Sequence, residues 1–147
     1  MTAALPALFA VGLALVLMQK QSAPAQTRDT RETQFAQYLV LLGASLGTSV
    51  ASLGQAMNAI RAKHPTTAGN LNTFYYSMVS EYSKNLGTTD AELMRVRLAT
   101  DITQLGEALL ESPAKFQAQT TALKNAGMNN TVATLLSAYY GALQEIK

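Results

Sequence analysis

The longest stretch without a charged residue, Thr33–Ile60, constrains the fold more than any other feature of this sequence. Its large apolar residues recur at steps of three and four between Leu39 and Ile60, which indicates one face of a helix. Helical conformation is disfavoured at His64, because the residue before a proline is pushed towards extended backbone. We therefore predict one long helix from about Thr30 to His64, roughly 50 Å long at 1.5 Å per residue.

Small and polar uncharged residues form the other two faces of this predicted helix. Glycine inside a helix costs about 1 kcal/mol relative to alanine, and close approach of a second helix is the usual compensation. One interpretation is a helix that packs against copies of itself around a wet lumen; another is the central helix of a bundle, enclosed by its own neighbours. The predicted packing residues are Gly43, Gly47, Ala51 and Gly54, and the predicted polar lining is Ser45, Ser49, Ser52 and Gln55.

The N-terminus contains an uninterrupted apolar run, Ala3–Met18. As a helix it would reach about 24 Å, somewhat less than the roughly 30 Å of a hydrocarbon core. We predict that residues 1–26 form an apolar membrane-inserting segment with its linker, and that residues 27–147 form a helical assembly domain. The predicted insertion residues are Leu5, Leu8, Phe9, Val11, Leu13, Leu15, Val16, Leu17 and Met18.

A secretory signal peptide is one alternative for the same segment, and a buried soluble helix that partners cover on all sides is another. Ala23 and Ala25 supply the small residues of a cleavage site. However, no basic residue precedes the apolar run, and the cations Lys20, Arg28 and Arg31 follow it. That order favours retention with the N-terminus outside, by the positive-inside rule.

The rest of the chain is predicted to be all-α, with about five helices after the N-terminal one. Asp29 with Glu32, and Thr89 with Glu92, have the spacing of capping boxes. No segment shows sustained period-two alternation, and no internal repeat is evident. A loop is predicted at 65–70, and further helix boundaries at Gly87, at Ser112-Pro113 and near Gly127.

The usual residues of catalysis are scarce. The chain has no cysteine and one histidine, and its net charge is only +2. Thiolate chemistry is therefore excluded, and no histidine cluster is available for a metal. Glu107 and Glu111 lie four residues apart, which is typical of a solvated helix face. We predict a non-enzymatic protein without cofactors, catalytic residues or metal, and without sequence-specific nucleic-acid binding.

The layout resembles one known group of proteins. A short apolar N-terminus ("ALFAVGLALVLM"), a Gly/Ser-rich helix ("GASLGTSVASLG") and a small helical remainder are similar to the small ejection proteins that tailed phages carry inside the virion. The resemblance covers the general layout and no diagnostic motif. It implies a location in the virion and then in the host cell envelope, as part of a DNA conduit.

Two functions follow from the sequence. The first is a membrane-inserting helical subunit that self-assembles into a pore or tube, with its own copies, the lipid membrane and other subunits of a larger assembly as partners. The second is an exported or membrane-tethered helical bundle that acts as a binding or adaptor module in the cell envelope.

Overall fold

The computed structural model describes residues 29–86 and 90–146, and six α-helices occupy these two ranges. The described part of the chain contains no strand, which confirms the all-α helical bundle. The helices enclose one hydrophobic core, to which each of them contributes. They are α1 (Thr30–Thr48), α2 (Val50–Lys63), α3 (Pro65–Leu86), α4 (Ala91–Glu111), α5 (Pro113–Asn125) and α6 (Asn129–Glu145).

The predicted membrane-inserting segment, residues 1–26, lies outside the described residues. Among the helices that are described, none is both long enough and apolar enough to cross a bilayer. Thr33–Ile60 is accordingly divided between bundle helices that contribute to the core.

The prediction of one long helix from Thr30 to His64 was wrong, because the helix is interrupted at Ser49. Ser49 has an extended backbone, with φ −172° and ψ 162°, between α1 and α2. Its hydroxyl oxygen accepts a hydrogen bond from the Ser52 N–H at 3.0 Å. Serine competes for backbone hydrogen bonds in this way, which favours it at helix starts over helix interiors. The long apolar stripe is therefore carried by two helices.

The predicted loop at 65–70 was also wrong, because α3 begins at Pro65. Proline is tolerated at the first helical position, where its missing N–H would have no partner within the helix. The next N–H groups, those of Thr66 and Thr67, donate to the Glu145 carboxylate at 2.9 and 2.7 Å. A side chain from the far end of the sequence thus caps this helix.

The described residues form two similar three-helix halves, 29–86 and 90–146, although no internal repeat is evident in the sequence. Ser112 stands between α4 and α5 with φ −168° and ψ 153°, nearly the angles of Ser49 between α1 and α2. An aspartate caps the first helix of each half: Asp29 caps α1, and Asp90 rather than the predicted Thr89 caps α4.

The first helices of the two halves, α1 and α4, cross through reciprocal glycine contacts. A Cβ on Gly43 would lie 2.9 Å from the Ala99 carbonyl oxygen and 2.6 Å from the Thr103 nitrogen. A Cβ on Gly106 would lie 2.8 Å from the carbonyl oxygen of Ala36 and 2.8 Å from the nitrogen of Val40. Ala36 and Val40 occupy the positions in α1 that correspond to Ala99 and Thr103 in α4. Each glycine therefore contacts equivalent positions of the other helix. We infer an approximate two-fold axis through this crossing.

The third helices, α3 and α6, pack against each other and follow the same symmetry. Residues 67–82 and 131–146 agree at every position in being buried, half-buried or exposed. Their sequences share only a threonine, a leucine, two adjacent tyrosines and a glutamate. The burial pattern is therefore repeated far more faithfully than the amino acids.

Candidate functional site

The four predicted packing residues are divided between the interior and the surface. Gly43 is buried in the crossing of α1 with α4. Gly47, Ala51 and Gly54 are exposed, and a Cβ on Gly54 would meet nothing within 4 Å. Gly43 thus serves the fold of the single chain, whereas the other three are available to a neighbour.

The four predicted lining residues do not share one surface. Ser45 is 2% exposed, so it belongs to the core, and Ser49 is the cap of α2. Ser52 is half-buried and exchanges hydrogen bonds with Ser49. Only Gln55 is fully on the surface. As folded here, the chain does not present these side chains as one polar wall.

Two carboxylates hold the α3/α6 pair together, because a glutamate on each helix caps the N-terminus of the other. Glu81 on α3 accepts hydrogen bonds from the N–H and the hydroxyl of Thr131, both at 2.6 Å. Glu145, at the end of α6, accepts the same two bonds from Thr67, both at 2.7 Å. A carboxylate at a helix N-terminus also meets the positive end of the helix dipole. We call these two arrangements the carboxylate clasps.

Electrostatics favour ionised carboxylates in both clasps. Partial burial disfavours the charged forms of Glu81 and Glu145, but the hydrogen bonds from threonine outweigh it, so each pKa lies below its ordinary value of 4.5. Both threonine side chains are fully buried, whereas Glu81 and Glu145 are half-buried. The clasps therefore contribute to stability chiefly in their ionised state.

The single histidine takes part in a contact between elements. The Tyr38 hydroxyl lies 2.6 Å from the Nδ1 atom of His64, which follows α2. Burial raises the pKa of the Tyr38 hydroxyl, and the nearby negative charge of Glu145 adds to the effect. This cluster sits beside one clasp and ties α1 to the junction of α2 and α3.

No metal centre emerges from the described residues. Ranges 29–86 and 90–146 hold no group of three or more metal-ligating side chains. Glu107 and Glu111 are exposed on α4, and Glu111 pairs with Lys115 one turn further along the chain. These acids form a solvated surface.

The outer face of the α3/α6 pair carries two exposed tyrosines at equivalent positions. Tyr76 is 62% exposed and Tyr140 is 59% exposed. Each leans edge-on against the preceding tyrosine, with ring centroids 5.3 Å apart for Tyr75–Tyr76 and 5.1 Å for Tyr139–Tyr140. Most exposed positions along this face are uncharged, and the exposed Lys84 follows one turn after Ser80. The uncharged positions are Gly69, Thr73, Tyr76 and Ser80 on α3, and Ala133, Ser137, Tyr140 and Gln144 on α6.

Neither the clasps nor the repetition of the tyrosines was predicted from the sequence, although a signal exists there. A threonine is followed after seven residues by two tyrosines, and then after four more residues by a glutamate. This pattern occurs once from Thr67 to Glu81 and once from Thr131 to Glu145. A search for such spacings would have predicted the symmetric pair.

Open grooves on the described surface include those between α5 and α6, between α3 and α6, and beside the acids of α4. One of about 410 Å³ runs between α5 and α6 and includes Phe116, Tyr139 and Tyr140. Another of about 610 Å³ lies between α3 and α6 and includes Tyr76, Glu81 and Lys84. The third, of about 410 Å³, lies beside Glu107 and Glu111.

Comparison of the chain with protein-family models, with curated proteins and with solved structures finds no match.

Proposed function

We propose that this protein is a non-enzymatic adaptor held at a membrane. Residues 1–26 attach the chain to the bilayer, and the bundle of residues 29–146 is displayed there as a binding module. The observation that supports the proposal best is the internal use of Gly43 and Ser45. Because α1 contributes these residues to the bundle's own core, the bundle forms without recruiting a second copy of that helix.

The exposed surface of α3 around Tyr76 is the surface that we assign to the protein partner. Tyrosine supplies rigid contact area at low entropic cost, and serine, glycine and asparagine supply adaptable hydrogen bonds. Tyr76 stands on this face beside Thr73 and Ser80, all of them exposed. An exposed tyrosine among small polar residues suits a protein partner, because aromatic residues are enriched at the centres of interfaces.

Vesicle flotation of the intact chain tests the attachment. Leu13→Arg places a charge inside the apolar run, at a cost of about 2.5–3.5 kcal/mol at the centre of a bilayer. We expect the unaltered chain to float with the vesicles and Leu13→Arg to remain in the dense fraction. Val50→Arg is the matched control, since Val50 is 60% exposed on the bundle. Equal flotation of Leu13→Arg and the unaltered chain would contradict the attachment.

The mass of the mature chain distinguishes a tether from an exported module. A chain that retains Met1 supports the tether, whereas a chain that begins at Gln26 supports export by a cleaved signal peptide. The bundle keeps its binding role in both cases, and only its means of localisation changes.

The second candidate is self-assembly into a pore or tube, the function implied by the resemblance to phage ejection proteins. One observation favours it, because three small residues remain exposed near Val50. They are Gly47 at the end of α1, and Ala51 and Gly54 in α2. Gly54→Leu should prevent close approach of a second copy without disturbing the fold, because nothing lies within 4 Å of its Cβ position. Light scattering in mild detergent would then show a ring-sized oligomer for the unaltered chain and a smaller species for Gly54→Leu. A monomer for the unaltered chain would overturn this candidate.

A further inference from the structure

The groove between α5 and α6 combines aromatic walls with one lysine at its edge. Phe116 and Tyr139 form its buried part, with ring centroids 5.6 Å apart. Tyr140 and Lys124 stand exposed at its edge. No carboxylate lines this groove, whereas the grooves beside Glu81 and Glu107 are both lined by acids.

The described chain starts beside this groove. The Arg31 guanidinium donates a hydrogen bond from Nη1 to the Leu143 carbonyl oxygen at 2.7 Å. Glu32 is hydrogen-bonded to the Tyr139 hydroxyl, whose pKa is raised to about 12, first by burial and then by this carboxylate. Leu143 and Tyr139 are within one helical turn of Tyr140. The chain therefore enters the described bundle at this edge.

The linker keeps the groove near any bilayer that holds the apolar run. Residues 19–28 span at most about 35 Å when fully extended. A short tether of this kind gives an effective local concentration on the order of millimolar, so a weak contact is sufficient for docking. Residues 19–28 also carry Lys20 and Arg28, the same sign of charge as Lys124 at the rim.

Aromatic rings and lysines together are typical of the membrane interface. Tyrosine is enriched at the level of the lipid headgroups, where its ring is sheltered and its hydroxyl is solvated. Lysine extends its aliphatic stem along apolar surface while its ammonium group reaches water or phosphate. The α5/α6 groove offers both groups on the side where the chain leaves the bundle.

We propose that the α5/α6 groove docks on the lipid headgroup layer, with Tyr140 and Lys124 in contact with it. This inference rests on the proposed membrane attachment and adds the orientation of the bundle. The equivalent part of α3, which carries Tyr76, is left for the protein partner. The two equivalent tyrosines thus take different roles, because only one lies beside the attachment point.

A single tryptophan at either tyrosine reports this orientation. The sequence contains no tryptophan, so Tyr140→Trp and Tyr76→Trp each carry one indole at positions of nearly equal exposure. The intact chain would be bound to vesicles of phosphatidylcholine and phosphatidylglycerol with brominated acyl chains. We expect at least threefold stronger quenching for Tyr140→Trp than for Tyr76→Trp, with a blue shift for Tyr140→Trp alone. Circular dichroism would check that both variants remain helical.

The outcomes separate this inference from the attachment on which it rests. Vesicle-bound chain with equal quenching at the two positions, or with none at Tyr140→Trp, would overturn the orientation and leave the attachment standing. Chain that fails to float with the vesicles would overturn the attachment itself. As a second variant, Lys124→Glu should reduce the quenching of Tyr140→Trp on the anionic vesicles. Unchanged quenching would remove Lys124 from the contact.

Discussion

Gly106 illustrates how a missing side chain sets the distance between two helices. A Cβ at this position would lie 2.7 Å from a Val40 methyl group and 2.8 Å from two backbone atoms of α1. Backbone atoms cannot turn aside as a flexible side chain can. The α1/α4 crossing is therefore fixed by Gly106 and its counterpart Gly43.

Gly106→Ala should consequently destabilise the bundle by roughly 1–3 kcal/mol, the usual cost of overpacking a core. Gly54→Ala is the matched control, because its Cβ would meet nothing and alanine favours helix by about 1 kcal/mol. Urea unfolding followed by far-ultraviolet circular dichroism would measure both changes. Equal stability of Gly106→Ala and the unaltered chain would show that the helices are not held at this distance.

The sequence predicts a close helix contact at Gly43, and the structure has one there, but its partner is α4 of the same chain. A series of small residues predicts close packing of a second helix, but it does not indicate whether that helix belongs to the same chain or to another copy. Composition identified Gly43 as suited to close packing, whereas the identity of the neighbour depended on long-range contacts that no local pattern encodes.

Helices α3 and α6 are joined at both ends by the carboxylate clasps. Since the pKa values of Glu81 and Glu145 are lower in the fold than the ordinary value of 4.5, both groups stabilise the folded state above about pH 4.5. This contribution is lost as the pH falls through the lowered pKa values, because the protonated carboxyls no longer attract the helix N-termini as strongly.

Glu81→Gln and Glu145→Gln should therefore each destabilise the bundle at pH 7 by about 1–2 kcal/mol, the usual value of a charged helix cap. Their effects should shrink below pH 4. Urea unfolding between pH 3 and 7 would measure this dependence, with Glu107→Gln on the exposed face of α4 as the control. A pH-independent loss in either clasp variant would contradict the ionised clasp.

Helix boundaries were the least predictable elements. Ser49 ends a helix in a run whose apolar period continues across it, so periodicity alone could not reveal the break. Pro65 begins a helix because the Glu145 carboxylate caps it. The carboxylate accepts from the N–H of Thr67, which lies 78 positions away in the sequence. In contrast, Ser112-Pro113 was predicted correctly, since serine followed by proline is itself a local start signal.

The two-fold repeat is difficult to detect in the sequence for two physical reasons. Burial constrains size and polarity at each position but seldom one amino acid, so the halves share the pattern of exposure with few identical residues. In addition, the offset changes along the chain: Ser49 and Ser112 are 63 positions apart, whereas Thr67 and Thr131 are 64 apart. A repeat with a shifting register leaves little trace in a direct self-comparison.

The symmetry also predicts how the chain behaves when it is divided. Each half loses its main packing partners when the chain is divided, because α1 packs on α4 and α3 packs on α6. Fragments 1–88 and 89–147 should therefore be poorly helical alone and should recover the helical content of the whole chain when mixed. Circular dichroism and light scattering would measure this. A fragment that folds as a stable monomer would contradict the shared core.

Hydrogen exchange of the intact chain, with and without vesicles, tests the central claim most directly. An adaptor attached through its N-terminus should gain protection on vesicles within residues 1–26, while the amides of α1 and α4 keep their slow exchange. Faster exchange in α1 and α4 on the membrane would mean that the bundle opens there, which would contradict the adaptor and favour a pore.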